Sequence, residues 1–403
     1  MQSELPSKVL VVDDDQSVID SIEKFLSPHG IQVHRAMDVE SAMYQFTRQI
    51  FEVVLVELEF APLPGLALVQ KFRLDQNPDR RKAGIILSSG LGRKVTDENL
   101  FAELGDLEMI EKPLTALKLL PALNRALGRR RSIIQYDMVK SLAYDLVEKE
   151  GDVEKAIGYV KNNINNVGEK GTSLMIDIYE KGGRNDLALK LSEMMLEKNA
   201  GDIAMLNTKS RLLLKMGKVE LASEFMEQAE KSAPGNIARL QTMASTYLDM
   251  EDPDKAVVVM KDLIELSPEE KALRFNFFQD LEDQGYLRHA IGLCKETTPP
   301  IEVIRHFNNK GVAFARKQRF EDALIEYNAA LKFYPDYKDN YRLIFNIGIA
   351  ELSKKSLEGV QAAEIAFQRC LDIRPNYEKA KLKLDNVQQV LARHAMKSKT
   401  MAI

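Results

Sequence analysis

The chain has 403 residues, 45% of them hydrophobic and 29% charged, with a formal net charge of −4. That length allows two or three domains of ordinary globular composition. So small a net charge gives no bulk attraction to nucleic acid or anionic lipid, and no apolar run approaches the ~20 residues of a membrane span. The two cysteines and five scattered histidines are too few for a disulfide framework or a cysteine- or histidine-rich metal site. The N-terminal MQSELPSK lacks the apolar core of a signal peptide, so the expected location is cytoplasmic.

Lys8–Val12 (KVLVV) is a short β-branched run, as for a buried parallel strand. Ser17–Leu26 then places Val18, Ile19, Ile22 and Leu26 on one helical face, closed by Pro28 and Gly30. Strands are predicted at Gln32–Arg35, Val53–Leu58, Gly84–Ser88 and Glu108–Glu111. Helices are predicted at Val39–Gln49, Leu66–Leu74, Asp97–Leu104 and Leu117–Leu127. Pro121 argues for a later start to the last helix. Five βα units imply a parallel sheet with helices on both faces, whose functional crevice lies at the carboxyl ends of the strands. Asp13 and Asp14, Glu57, Ser88 and Lys112–Pro113 all fall at those ends. No glycine-rich phosphate loop accompanies them.

With that pattern, residues 6–127 resemble a response-regulator receiver domain of the flavodoxin-like type. The resemblance implies that Asp13 and Asp14 are the acidic pair that holds Mg²⁺, Ser88 the hydroxyl position and Lys112 the conserved-type lysine. Gly65 closes the loop after the acceptor. Three positions depart from the family. Glu57 stands at the phosphoacceptor aspartate, Ala61 where proline is usual, and Met109 where an aromatic switch residue is common.

Glutamate is one methylene longer than aspartate, and misplacing an attacking atom by about 1 Å can cost ~100-fold. Efficient phosphorylation of Glu57 is therefore not expected. Its carboxylate would instead reach toward Lys112 and Ser88 as a permanent negative charge. A phosphoryl group carries about −1.5 to −2 charges, and a carboxylate only one. A charge pair at ~4 Å gives roughly 4 kcal/mol before desolvation, short of the ~5.5 kcal/mol that fully inverts a two-state equilibrium. Glu57 is thus expected to bias the receiver rather than to lock it. The alternatives are an inert, Lys112-neutralised carboxylate and a receiver still phosphorylated or metal-bound at Asp13, Asp14 and Glu57. No cofactor is required, and Mg²⁺ at those three carboxylates is expected to be weakly held, since the ion prefers phosphate oxygens as co-ligands.

Beyond residue 136 the chain repeats. Ala188, Ala222, Ala256 and Ala290 are 34 residues apart, as are Tyr179, Leu213 and Tyr247, and Pro234 and Pro268. Gly183, Gly217 and Gly285 mark turns between paired helices. Such hairpins must stack to bury their apolar faces. In Ile304–Pro335, the residues Phe307, Gly311, Phe314, Ala323, Tyr327, Ala330 and Pro335 resemble the tetratricopeptide (TPR) pattern closely. The resemblance implies an all-α TPR superhelix over 137–394, with about seven hairpins and a capping helix from Tyr377. Residues 128–136 would be a charged linker and 395–403 a tail. The last hairpin, 341–376, is expected to have a lengthened turn.

The TPR resemblance implies a groove for an extended peptide or partner helix. Arg305, Asn308, Arg316 and Arg342 are its candidate lining residues. Val312 stands where a carboxylate clamp would have a second asparagine. Cys294 and Cys370 read as core thiols, and Gly128–Arg131 reads as linker rather than a nucleic-acid contact. The expected function is two-component-type signalling by protein–protein contact, without catalysis. Homodimerisation through the receiver's last strands and helices is a further expectation. The rivals are a structural adaptor with an inert receiver and, from a different class, a divalent-ion hydrolase at Asp13, Asp14 and Glu57.

Overall fold

The computed structural model describes residues 5–60, 63–90, 98–105 and 107–401, with backbone alone for 98, 102, 169, 271 and 395–401. Packing divides the chain into two compact units, Met1–Leu273 and Arg274–Ile403. The division falls inside the helical array and not at the change of fold type.

The first unit opens with β1 (Lys8–Val12), α1 (Gln16–Leu26), β2 (Gln32–Ala36), α2 (Val39–Arg48), β3 (Val53–Glu57), α3 (Gly65–Arg73), a single turn α4 (Pro78–Arg81), β4 (Gly84–Ser89), α5 (Glu98–Leu104) and β5 (Leu107–Glu111). The strands form one parallel sheet in the order β2-β1-β3-β4-β5. Both faces of the sheet are apolar because helices cover both. Val9, Val11, Leu55 and Ile86 pack on α1 and on α6 (Ala116–Glu150). Leu10, Val54, Val56, Ile85 and Leu87 pack on α2, α3 and α5. Strand order reverses between β1 and β3, which opens a crevice where their carboxyl ends diverge.

The next helix, α6, runs from Ala116 to Glu150 without a break. It starts upstream of Pro121 and continues through 128–136, so the expected linker is helical. Arg125, and Arg129 of the basic stretch, pair with Glu108 on β5 at 2.7 and 3.0 Å. The C-terminal half of α6 packs with α7 (Val153–Asn162), the turn α8 (Ile164–Val167) and α9 (Gly171–Lys181) around Val139, Ala143, Ile157, Val160 and Leu174.

Paired helices follow. In the first unit these are α9 with α10 (Asn185–Lys198), α11 (Ile203–Lys215) with α12 (Val219–Ser232), and α13 (Ile237–Asp249) with α14 (Pro253–Glu265). After α15 (Lys271–Asp283), the second unit contains α16 (Leu287–Thr297), α17 (Pro300–Arg316), α18 (Phe320–Phe333), α19 (Tyr341–Ser353), α20 (Leu357–Ile373) and α21 (Glu378–Met401). The architecture is an α/β receiver fold followed by a TPR-type helical array.

The 34-residue register has a physical basis at two positions. Ala188, Ala222, Ala256, Ala290 and Ala323 are all fully buried where helices approach. The corner between paired helices takes a left-handed backbone at Gly183, Gly217, Glu251, Gly285, Gln318 and Lys355, with φ between 57° and 87°. In the second unit, a Cβ on Gly311 would lie 2.3 Å from the Tyr327 ring, and one on Gly348 would lie 2.5 Å from the Phe367 ring. The α19–α20 turn is only Lys354–Ser356, as short as Met216–Lys218. The extra residues lengthen α20 to 17 residues rather than enlarging the turn as expected.

Candidate functional site

β1 and β3 end side by side in the crevice and deliver Asp13 and Glu57 into it. Both are buried, with 0% and 6% exposure, while Asp14 faces solvent. Lys112, just after β5, crosses the strand ends to meet them. Its Nζ lies 2.9 Å from Asp13 Oδ2 and also pairs with Glu57 Oε2. Ser88 at the end of β4 donates its hydroxyl to the same Glu57 oxygen at 3.2 Å. The Glu59 amide approaches Glu57 Oε1 at 3.4 Å. The longer side chain thus reaches both Lys112 and Ser88, as the sequence suggested. Gly65 is required here: its ideal Cβ position is 2.3 Å from the Glu57 carbonyl oxygen.

Burial pushes the Asp13 carboxyl above its ordinary range, against the Lys112 hydrogen bond and an Asp15 amide that both favour ionisation. Burial alone would lower the Lys112 ammonium, but the hydrogen bonds and charges of Glu57 and Asp13 outweigh it and hold the ammonium above its usual value. The shared cation of the two buried carboxylates is therefore Lys112. No three His, Cys, Asp or Glu side chains group as a metal site among the described residues. Of the sequence-based set, Asp13 and Glu57 meet at Lys112, while Asp14 lies on the exposed rim of the crevice. Met109 is 38% exposed on β5, where an aromatic was expected from the family pattern. Ala61 lies outside the described residues.

A second set of side chains on the receiver escaped sequence reasoning. Gln70 on α3 donates to the Gly235 carbonyl at 2.9 Å and accepts from the Ile237 amide at 2.8 Å. It therefore serves a backbone donor that opens α13 and has no intrahelical partner. Lys71 beside it is buried and reaches Ser267, Glu269 and Glu270, each at 2.8 Å. On α5, Glu103 Oε1 accepts from Asn207 at 2.6 Å, Asn236 at 2.9 Å and Arg239 at 2.7 Å. One sequence signal was present. Leu66, Ala67, Leu68 and Val69 are four successive apolar residues on α3, more than one face of a helix needs, and every residue from Gly65 to Phe72 is buried.

In the second unit, Arg305 and Arg316 are exposed on α17. Asn308 of the same helix accepts from Asn346 of α19 at 2.7 Å. Arg342 is exposed, donates to its neighbour Tyr341 at 2.8 Å and lies over that ring at 5.5 Å. Cys294 and Cys370 are buried, and burial pushes their thiols up to about 12 and about 11. Both sit in the core, as expected, and neither is an activated nucleophile.

The response regulator receiver domain family matches residues 9–124, and the Psidin N-terminal TPR repeats region matches residues 175–282. The chain carries a receiver domain of the two-component response-regulator type followed by TPR repeats. The probable transcriptional regulator ycf27 of Guillardia theta is 34% identical over 127 residues, covering 32% of this chain and 47% of that protein. Regulatory protein VirG of Agrobacterium fabrum is 26% identical over 136 residues, covering 34% and 52%. The chain spans about half the length of these curated relatives. The solved receiver domain of NtrX from Brucella abortus is 29% identical, covering 30% of this chain and 98% of that one, with a TM-score of 0.27. No helix among the described residues is long and apolar enough to cross a membrane.

Proposed function

We propose that this protein is a non-catalytic signalling regulator whose receiver is held in one charge state by Glu57, with TPR repeats that bind a protein or peptide partner. The observation that carries this reading is the convergence of Ser88 and Lys112 on one oxygen of Glu57. A carboxylate already paired to the lysine and hydroxyl of the site is a poor nucleophile, and its extra methylene displaces the attacking oxygen. Lys112 already balances part of the charge of Asp13 and Glu57, and on this reading the regulator's output requires no Mg²⁺. The exposed arginines Arg305, Arg316 and Arg342 are candidate contacts for the partner, alongside Asn308. Regulation would be by contact, in the cytoplasm, with homodimerisation through the receiver's last two strands and helices as a further element.

The test is incubation of the full chain with acetyl phosphate, or with beryllofluoride, in the presence of Mg²⁺. Intact-mass measurement and circular dichroism are expected to show no adduct and no change. A stoichiometric acid-stable adduct, or a large conformational response, would overturn the reading. Glu57→Gln then separates a working charge from an inert one, because partner affinity changes only if the charge matters.

A further inference from the structure

Within the first unit the receiver holds the helical array at two places far apart in sequence. The first is α6, which packs on the sheet through Leu119, Leu123 and Ala126 and then becomes part of the first hairpin. The second is the junction of the following hairpins, where α3 and α5 meet the turns at 232–237 and 266–270. Asn99 also donates to the Ser232 carbonyl there, at 2.6 Å. Between these anchors lies the α9–α10 hairpin, the least buried part of the stretch. Along fourteen residues, α10 buries only Ala188 and Ser192, whereas thirteen-residue α13 buries eight.

The composition of the second anchor is unusual for a core. Lys71, Glu103 and Arg239 are charged, and their side chains are 7%, 6% and 2% exposed. The apolar share includes Leu100 and Leu266, which lie 4.0 and 3.9 Å from where a Cβ on Gly235 would stand. Contacts between parts of a chain that are this polar resemble transient interfaces, which open and close. Polar groups exchange partners with water at small net cost, whereas parting the junction also uncovers the edge of the core against which Leu266 packs, so the closed form is the favoured one. Anion placement adds specificity: Glu103 stands at the N-terminus of α13, where a helix favours negative charge.

We propose that the receiver face formed by Gln70, Lys71 and Glu103 has the chain's own α11–α14 hairpins as its partner, and that the receiver is a releasable clamp fixing the curvature of the array from α6 to α14. Closed, the clamp ties the α12–α13 and α14–α15 turns to α3 and α5. Open, it leaves the array held only through α6, free to flex at α9–α10. This is independent of the charge state of Glu57.

Amide hydrogen exchange on the full chain tests it. The Ile237 amide, bonded to Gln70 Oε1, exchanges only when the clamp opens. Glu103→Arg sets two cations against each other and should speed exchange at 233–240 and 267–270 by about ten- to a hundredfold. Exchange in β1–β5 and the circular dichroism should stay as in the parent chain. Unchanged exchange at both turns would overturn the clamp. So would exchange that rises equally in the strands and the turns, because the contact would then be part of one indivisible core. If the Glu103→Arg chain does not fold, Gln70→Ala, which removes only two hydrogen bonds to the α12–α13 turn, is read by the same criteria.

Discussion

Glu103 of the receiver and Arg239 of α13 form an ion pair of 2.7 Å with both side chains almost wholly removed from water. Arg239 also bonds Glu230 at 2.8 Å and the Ala233 carbonyl, so one guanidinium organises the α12–α13 turn and ties it to α5. Breaking one side of a buried pair strands the other charge, typically at a cost of about 3–5 kcal/mol. Arg239→Met should therefore destabilise the protein by about that much in urea titration. The double variant Glu103→Gln, Arg239→Met should lose less than Arg239→Met alone, because the more deeply buried carboxylate is then neutral and only the partly exposed Glu230 loses its cation. A double variant less stable than Arg239→Met would count against this account.

Lys112 is expected to be the main electrostatic support of the receiver site. In Lys112→Met, Asp13 and Glu57 face each other without a counter-ion, and a loss of about 3 kcal/mol at pH 7 is expected. The loss should shrink at pH 5, where protonating a carboxyl relieves the repulsion. The Asp13 carboxyl lies above its ordinary value when folded, so the folded state holds more proton than the unfolded one. Its contribution to stability therefore declines as pH rises from about 4 through the raised value. The raised Lys112 value acts in the alkaline range: its contribution is complete below about pH 10 and is lost as pH rises through the folded value. Urea titrations of parent and variant at pH 5, 7 and 10.5 check both windows.

The left-handed corners predict substitutions of opposite sign. Glu251 and Gln318 hold φ of 58° and 60° at positions where Gly217 and Gly285 hold 72° and 87°. A left-handed residue with a Cβ costs roughly 1–2 kcal/mol, partly offset by glycine's greater unfolded freedom. Glu251→Gly should stabilise by about 0.5 kcal/mol and Gly217→Ala should destabilise by about 1 kcal/mol. Thermal unfolding of the two variants reads both signs.

Close helix approach in the second unit should be sensitive to a single methyl group. Tyr327 and Phe367 are fully buried rings with no room to yield to a Cβ on Gly311 or Gly348. Overpacking of this kind costs about 1–3 kcal/mol. Gly311→Ala and Gly348→Ala should each lower the denaturation midpoint. Gly292→Ala, whose Cβ would meet nothing within 4 Å, should not.

Much of this molecule was legible in the sequence because its regularities are short-range. β-Branched runs such as KVLVV mark strands, and the strand ends place Asp13, Glu57, Ser88 and Lys112 together without further information. The alanine ladder marks the hairpins because close approach demands a small residue at a fixed interval. The missing parts depend on distant partners. Gln70 and Lys71 look like the polar side of an ordinary amphipathic helix, and nothing local says that Gly235, Ile237 and Ser267 will cover them. Arg239, three residues into a helix, reads as solvated until Glu103 is placed opposite. The course of α6 was misread because Pro121 and Gly128 both suggest a break. Pro121 lies only one turn into the helix, and the flanks of Gly128 are good helix formers.

The unbroken course of α6 changes what residues 128–136 mean. A flexible connector transmits only distance, whereas a helix transmits angle as well. Each residue added there would advance the first hairpin by about 1.5 Å and turn it by about 100° relative to the sheet. A single inserted alanine would put the α11–α14 hairpins out of phase with α3 and α5, whereas seven, close to two full turns, would nearly restore the angle but not the distance. The segment therefore sets a dihedral setting for the whole first unit, and its length is constrained as tightly as the composition of any core.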